Sequence, residues 1–543
     1  MKMNFKKIFT IVLALCMIFA FASCGKSSVN VVEKEVNAVS GDYTGKTVIL
    51  HSNDVHGALE GYAYMPALKA YYEEQGATVI LVDAGDFTNG SVYVSASKGE
   101  SAVTLMNAVG YDVVTLGNHE LDFGFEQLKS NLSSATFNII CSNLYDGKNN
   151  AFDSNIVYKV GDLKVGFFGL LTPETQTKVN PGLIQGLSFT EGDALVNAAK
   201  EQVEALKDEC DLIVAVCHLG VDDESIGNRS YEVMKNVEGI DFMIDAHSHT
   251  VMTEGENGEL IQSTGTEFAN IGVIVIDNAT KTIESHELVD TTTLQQESIV
   301  LATAQNIVDT VDEEFGTPFA KTSVVLDGEK PHVRATETNL GDLVCDSMIW
   351  SVLKDTKLDV DADHVVAITN GGGIRATIEV GEISKADVKT VLPFGNTIAV
   401  NYITGAELLE SLEASTYALP DTLGGFPQIA GLKIKVDATV AYDAGEEYPD
   451  STYAAPKSIG RVTILDVNGQ EFDPEATYAV ITNNFCAAGG DTYYAFKRGY
   501  DAGNGFDTSI PMDEALANYI YDELKCEIGD SYAEPAGRIE IIQ

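Results

Sequence analysis

The sequence predicts an α/β chain of two domains with short additions. Three observations carry this. At 543 residues the chain is longer than one hydrophobic core serves. From Thr47 to about Ser285, short runs rich in Val, Ile and Leu alternate with amphipathic stretches. Continuous apolar strands alternating with helices argue for a layered α/β domain. Beyond the "GTPFA" segment the pattern becomes a looser mix, with strands such as HVVAIT (364–369) and TYAVIT (477–482) and a helix in GAELLESLEAS (405–415).

The elements follow in chain order. Lys2, Lys6 and Lys7 precede an apolar stretch from Ile8 to Phe21, and small residues lead to Cys24. This is the layout of an export signal. The stretch is shorter than the roughly 20 residues of a membrane span. Its end at Cys24 resembles a bacterial lipoprotein lipobox, with Phe21 where Leu is more usual. The resemblance implies a signal peptide over 1–23, lipidation of Cys24 and a membrane lipoprotein at the cell surface or facing the periplasm. Plain secretion is the alternative. Residues 24–43 are polar and aperiodic, and read as a tether. The first domain spans 44–292. Val300, Ala304, Ile307, Val308 and Val311 recur at helical spacing, which predicts a linker helix within 293–320. The second domain spans 321–543.

Charge and cysteine usage narrow the function classes. Lys and Arg total 34 against 81 Asp and Glu, a formal charge of −47. Such a surface repels a long nucleic acid. A small anion stays open, because a local cation cluster outweighs distant charge within a Debye length. Cysteines 16, 24, 141, 210, 217, 345, 486 and 526 are scattered without a CxxC pair, so buried thiols are expected rather than a disulfide framework.

The chemistry sits where the apolar runs end. TVIL is followed by HSNDVHG, ATVILV by DAGD, DVVTL by GNHELD, DLIVAV by CHLG and DFMI by DAHSHT. Strand C-termini of an α/β domain converge on one crevice. These five segments hold six of the nine histidines: His51, His56, His119, His218, His247 and His249. Imidazoles with carboxylates and no thiolate suit zinc, manganese or a similar divalent ion. The ligands are too many for one tetrahedral ion. Asp86 is the natural carboxylate to bridge two ions roughly 3.5–4 Å apart. Cys217 precedes His218 on a strand, so alternation turns it away. His119 and Asp122 stand one helical turn apart, which lets the carboxylate hold the imidazolium.

These segments resemble the signatures of the calcineurin-like metallophosphoesterases, and most closely the bacterial 5′-nucleotidase/UDP-sugar hydrolase family. The resemblance covers nearly the whole chain after the tether. It implies a four-layer β-sandwich flanked by helices, a linker helix and a smaller α+β second domain. It implies two divalent metal ions, one held by Asp54, His56, Asp86 and His249, the other by Asp86, Asn118, His218 and His247. His249 stands where some members have Gln. His119 and Asp122 take the role of the charged catalytic pair.

Three loops of the second domain extend the resemblance. NGGGIRAT (370–377) is a Gly-rich turn after a strand, suited to an anion, with the Arg375 fork beside it. LPFGN (392–396) and NNFCAAGGDTYY, ending at Tyr494, each place a Phe in a loop. The resemblance implies that Phe394 and Phe485 sandwich a nucleobase, Asn396 lies near it, and Asp491 accepts from the ribose. Arg334 and Arg375 would contact phosphate. Lys330 stands where some members have another Arg.

The expected function is a dimetal phosphohydrolase acting on small-molecule nucleotides by metal-hydroxide attack on phosphorus. 5′-Nucleotides are the first substrates, with UDP-sugars and nucleoside di- and triphosphates behind them. The alternative is a 2′,3′-cyclic-nucleotide 2′-phosphodiesterase with 3′-nucleotidase activity. A third reading is a nucleotide-binding lipoprotein without catalysis. A nuclease fits the metals but not the acidic surface.

Overall fold

The computed structural model describes residues 29–179, 183–222, 225–449 and 451–543. The export signal and Cys24 lie outside the described residues. No helix among the described residues is long and apolar enough to cross a membrane.

Two sheets stack face to face in the first domain. One has six strands, in the order Thr282–Asp290, Asn270–Asp277, Lys46–Ser52, Thr78–Asp83, Val113–Val114 and Asn138–Ile139. The other has seven, in the order Val31–Lys34, Asn155–Val160, Leu163–Leu171, Leu212–His218, Phe242–Ile244, Ile261–Thr264 and Val251–Met252. Alternation along TVIL explains why the run is continuous. Ile49 faces the other sheet, packing with Phe167, Val214 and Phe242, while Val48 and Leu50 face the helices outside. Tyr64–Glu74 and Glu100–Val109 cover the six-stranded sheet, and Gly192–Leu206 covers the seven-stranded one. The result is four layers, helix–sheet–sheet–helix. Cys217 joins the outer cluster under Gly192–Leu206, on the opposite side from the next residue's imidazole.

The tether expectation is corrected here. Val31–Lys34 is an edge strand, parallel to Asn155–Val160. Lys34 pairs with Asp112, and the Asn37 amide donates to the Glu73 and Ala77 carbonyls. Strand pairing uses backbone groups, so a four-residue segment, VVEK, joins a sheet with only Val32 packed on the core between the sheets.

The linker helix is Ser298–Phe315, capped by the Glu297 carboxylate, which accepts from the amides of Ile299 and Val300. Val300 and Ala304 pack into the first domain's core. Val311 packs with Val92 of the first domain and Ala386 of the second. The strand Pro318–Thr322 pairs with Gly381–Ser384, so the second domain's fold starts with that strand rather than at 321. Its five-stranded sheet runs Pro427–Ala430, Val365–Asn370, Thr477–Asn483, Thr397–Thr404, Gly505–Pro511. Helix Asn339–Asp355 lies on one face and Gly405–Ser415 on the other.

Candidate metal and nucleotide site

The strand-end loops of the first domain meet at one point. Asp54, His56 and His249 form one group of potential ligands, and Asp86, His218 and His247 another. A third group, His56, Asp86 and His119, lies between them. His56 Nε2 is 3.0 Å from His249 Nε2 and 3.7 Å from Asp86 Oδ2. His218 Nε2 is 3.1 Å from Asp86 Oδ2. His51 does not join them. Its ring reaches Gln262 at 2.8 Å and packs on Gly272, between strands. His51 is the last strand residue but one, and its side chain points into the sandwich instead of the crevice.

The backbone bends to bring these side chains together. Asp54, His56, Asp86, His247 and His249 have φ of 49°, 47°, 62°, 74° and 55°, the left-handed region that non-glycine residues rarely enter. One buried carboxylate holds two of the loops. Glu120 accepts from the amides of Asp86, Phe87, Thr88 and Gly117 at 2.8, 2.8, 3.1 and 2.6 Å. Burial, with the Asp86 charge nearby, pushes its pKa up to about 7. Gly117 is needed for closeness: a Cβ there would meet Asp86 Oδ1 at 2.1 Å.

The donor set fits divalent cations. Asn118 Oδ1 is buried without a hydrogen-bond partner, and the buried His218 Nε2 faces the Asp86 carboxylate. Two imidazole nitrogens at 3.0 Å approach the roughly 3.3 Å edge of a tetrahedron with zinc bonds of about 2.0–2.1 Å. Burial pulls His56 down to about 3 and drives His249 below its ordinary range, so both rings are neutral and offer lone pairs. Burial opposes charge on Asp86, but His218, His119 and His56 outweigh it, and Asp86 stays ionised.

His119 stands beside this group in a different state. Its Nδ1 donates to Asp122 Oδ2 at 2.6 Å, and the Asn89 amide donates to that same oxygen at 2.7 Å. Burial works against the imidazolium, yet the Asp122 and Asp86 carboxylates raise its pKa above the ordinary value. A neutral ring suits a ligand; a charged ring with a free Nε2–H suits a developing oxyanion.

The second domain supplies the other wall. One cleft of about 960 Å³, its open mouth included, is lined by Asp86, Asn118, His119, Asp122, His247 and His249 from the first domain. Lys330, Arg334, Arg375, Phe394, Asn396, Phe485 and Asp491 line it from the second. The Phe394 ring stacks on His119, centroids 5.6 Å apart at 26°. The central carbon of the Arg375 guanidinium lies 5.6 Å from the Phe394 centroid, and burial with Arg334 pulls the Arg375 pKa down to about 10. Lys330 touches solvent, but the protein packed round its ammonium, with Arg334 and Arg375, pulls its pKa to about 8. Three cations crowded this way favour a multivalent anion. Asp491, at φ 49°, accepts from Asn370 at 2.9 Å. Gly490 lets the backbone lie on the Phe485 ring, where a Cβ would meet it at 2.3 Å.

Sequence reasoning passed over Glu120, Asn89, Glu174, Lys178, Asp222 and Ser225. The last four line the cleft. Glu174 follows the strand Leu163–Leu171 in the segment TPE, so the strand-end rule applied to that run finds it. Nothing in local pattern marks Lys178.

Residues 47–251 match the calcineurin-like phosphoesterase family model, and residues 318–498 match the 5′-nucleotidase C-terminal domain. The trifunctional nucleotide phosphoesterase protein YfkN of Bacillus subtilis (strain 168) is 31% identical over 84% of this chain, which spans 33% of that longer protein. The 5′-nucleotidase of Vibrio cholerae is 26% identical over 92% of this chain and 94% of its own length. The crystal structure of a 5′-nucleotidase precursor from Thermus thermophilus has a TM-score of 0.74 at 27% identity, covering 92% of this chain and 99% of that one. Two matched domains in this order, with their loops turned to a common cleft, place the chain in the 5′-nucleotidase family of metal-dependent phosphoester hydrolases.

Proposed function

We propose that the protein is an exported nucleotide phosphohydrolase whose main substrates are nucleoside 5′-phosphates. The observation that carries this is the His119–Phe394 stack, which supports a single site shared by a phosphoryl-handling group and a base-stacking ring. Arg334, Arg375 and Lys330 bind the phosphate oxygens and hold the phosphorus in place. Phe394 and Phe485 stack the base, Asn396 lies beside it, and Asp491 accepts from the ribose hydroxyls. Asp54, His56, Asp86 and His249 would hold one divalent ion, and Asp86, Asn118, His218 and His247 the other. When bound, these ions supply an activated water and polarise the phosphoryl oxygens. His119, kept protonated by Asp122, donates Nε2–H to the oxygen on which charge grows. The leaving ribose oxygen then takes a proton from His119 or solvent. Cys24 is the proposed lipid attachment, which would hold the enzyme at a membrane surface.

UDP-sugars and nucleoside di- and triphosphates fit the same cation cluster. A second reading, 2′,3′-cyclic-nucleotide phosphodiesterase with 3′-nucleotidase activity, draws on the Bacillus relative, a trifunctional nucleotide phosphoesterase. A substrate panel decides: AMP, ATP, UDP-glucose, 2′,3′-cyclic AMP and 3′-AMP, with manganese or zinc. The proposal expects fastest phosphate release from AMP. Preference for the cyclic or 3′ compounds moves the assignment to the second reading.

A further inference from the structure

The turn Thr172–Lys178 reaches both walls of the cleft. Glu174 is 2% exposed, and its Oε2 lies 3.2 Å from His247 Nε2. It opens the short helix Thr175–Lys178, whose last amide, from Lys178, donates to the Glu174 carbonyl at 2.7 Å. One turn on, Lys178 Nζ crosses to the second domain. It lies 3.8 Å from Asp491 Oδ1 and 5.8 Å from the Tyr453 ring centroid.

Each contact has a consequence. An imidazole that donates from Nε2 keeps its lone pair on Nδ1, so the carboxylate fixes both tautomer and ring angle. The His247 backbone is anchored by its amide, which donates to Asp54, and Glu174 is the side chain set against the far edge of its ring. The Asp491 side chain is 3% exposed; Lys178 faces its Oδ1 while the Asn370 amide donates to its Oδ2, so the two address opposite oxygens of the carboxyl group. We propose that Glu174 is a positioning residue for His247, and that its turn is a strut carrying Lys178 to orient Asp491. The Glu174 limb needs only a cation at His247; the Lys178 limb rests on the nucleotide reading above.

The test is calorimetric titration of the full protein with manganese, for the wild type, Glu174→Gln and Lys178→Met, followed by steady-state kinetics. Gln keeps the shape of Glu174, and a thermal melt beside each titration checks folding. Glu174→Gln should bind one of the two ions about 10- to 100-fold more weakly and leave the other unchanged. Lys178→Met should keep both ion affinities and raise the KM for AMP several-fold more than the KM for p-nitrophenyl phosphate, which has no ribose. Two wild-type ion affinities in folded Glu174→Gln overturn the positioning role. An equal rise in both KM values for Lys178→Met overturns the strut. A wild type that binds both ions but leaves AMP intact sinks the nucleotidase reading and the Lys178 limb with it, while the Glu174 titration still decides its own.

Discussion

The two walls of the cleft are built by opposite means. The first domain presents its groups on strained loops between rigid strands. Five ligand candidates sit at positive φ, and Glu120 ties the Asp86 loop to its own with four hydrogen bonds from backbone amides. The second domain presents Arg375 and Phe394 on Gly-containing loops, Arg334 at the end of the short helix Lys330–Val333, and Phe485 in the short helix Asn484–Ala487 with Gly490 against its ring. Strain at one wall fixes nitrogen and oxygen atoms to within a bond length, as cation binding demands. Stacking at the other wall tolerates small shifts, because a π-face is broad. Substitutions in the first wall should therefore cost turnover or folding, and those in the second should cost affinity.

The largest effect expected is in the first wall. His119→Ala should lower kcat for AMP by about 10²- to 10⁴-fold with little change in KM. A loss confined to KM would erase the contrast between the walls. Next is Glu120→Ala, which strips a partner from four buried amides. It should cost about 3–5 kcal/mol of stability, read as a fall in Tm. An unchanged melt would show that the strained loops hold themselves. Third is pH. Asp122 raises the pKa of His119, so activity should fall on the alkaline side as the imidazolium deprotonates. Asp122→Asn removes that support and should move the alkaline limb to lower pH. No movement would mean the limb belongs to another group. The smallest effect belongs to the second wall. Phe394→Ala should raise the KM for AMP by roughly tenfold, the loss of about 1–3 kcal/mol of stacking, and leave ribose 5-phosphate, which has no aromatic ring, nearly untouched.

The same contrast explains what was legible in the sequence. The apolar runs mark real strands because each is buried on both faces, as Ile49 and Leu50 show by packing in different clusters. Loops after those strands were readable because histidine and aspartate in such numbers have few structural uses. His51 shows the limit, since it lies only two residues before the loop yet still faces inward from the strand. Glu120 was hidden in plain view: a carboxylate that binds backbone amides has no sequence partner to reveal it. Lys178 was invisible because its contacts, Tyr453 and Asp491, lie far along the chain in the other domain. Val31–Lys34 was missed because four residues are too few to show a strand period, and its partners, Asn155–Val160 and Asp112, lie far along the chain.

The most direct test of the shared cleft is phosphate release from AMP against ribose 5-phosphate, with manganese bound, by the wild type, His119→Ala and Phe394→Ala. The account predicts that His119→Ala loses kcat on both substrates, while Phe394→Ala loses affinity for AMP alone. Equal losses on both substrates with Phe394→Ala, or none on either, would contradict a base-stacking wall across from the metal site.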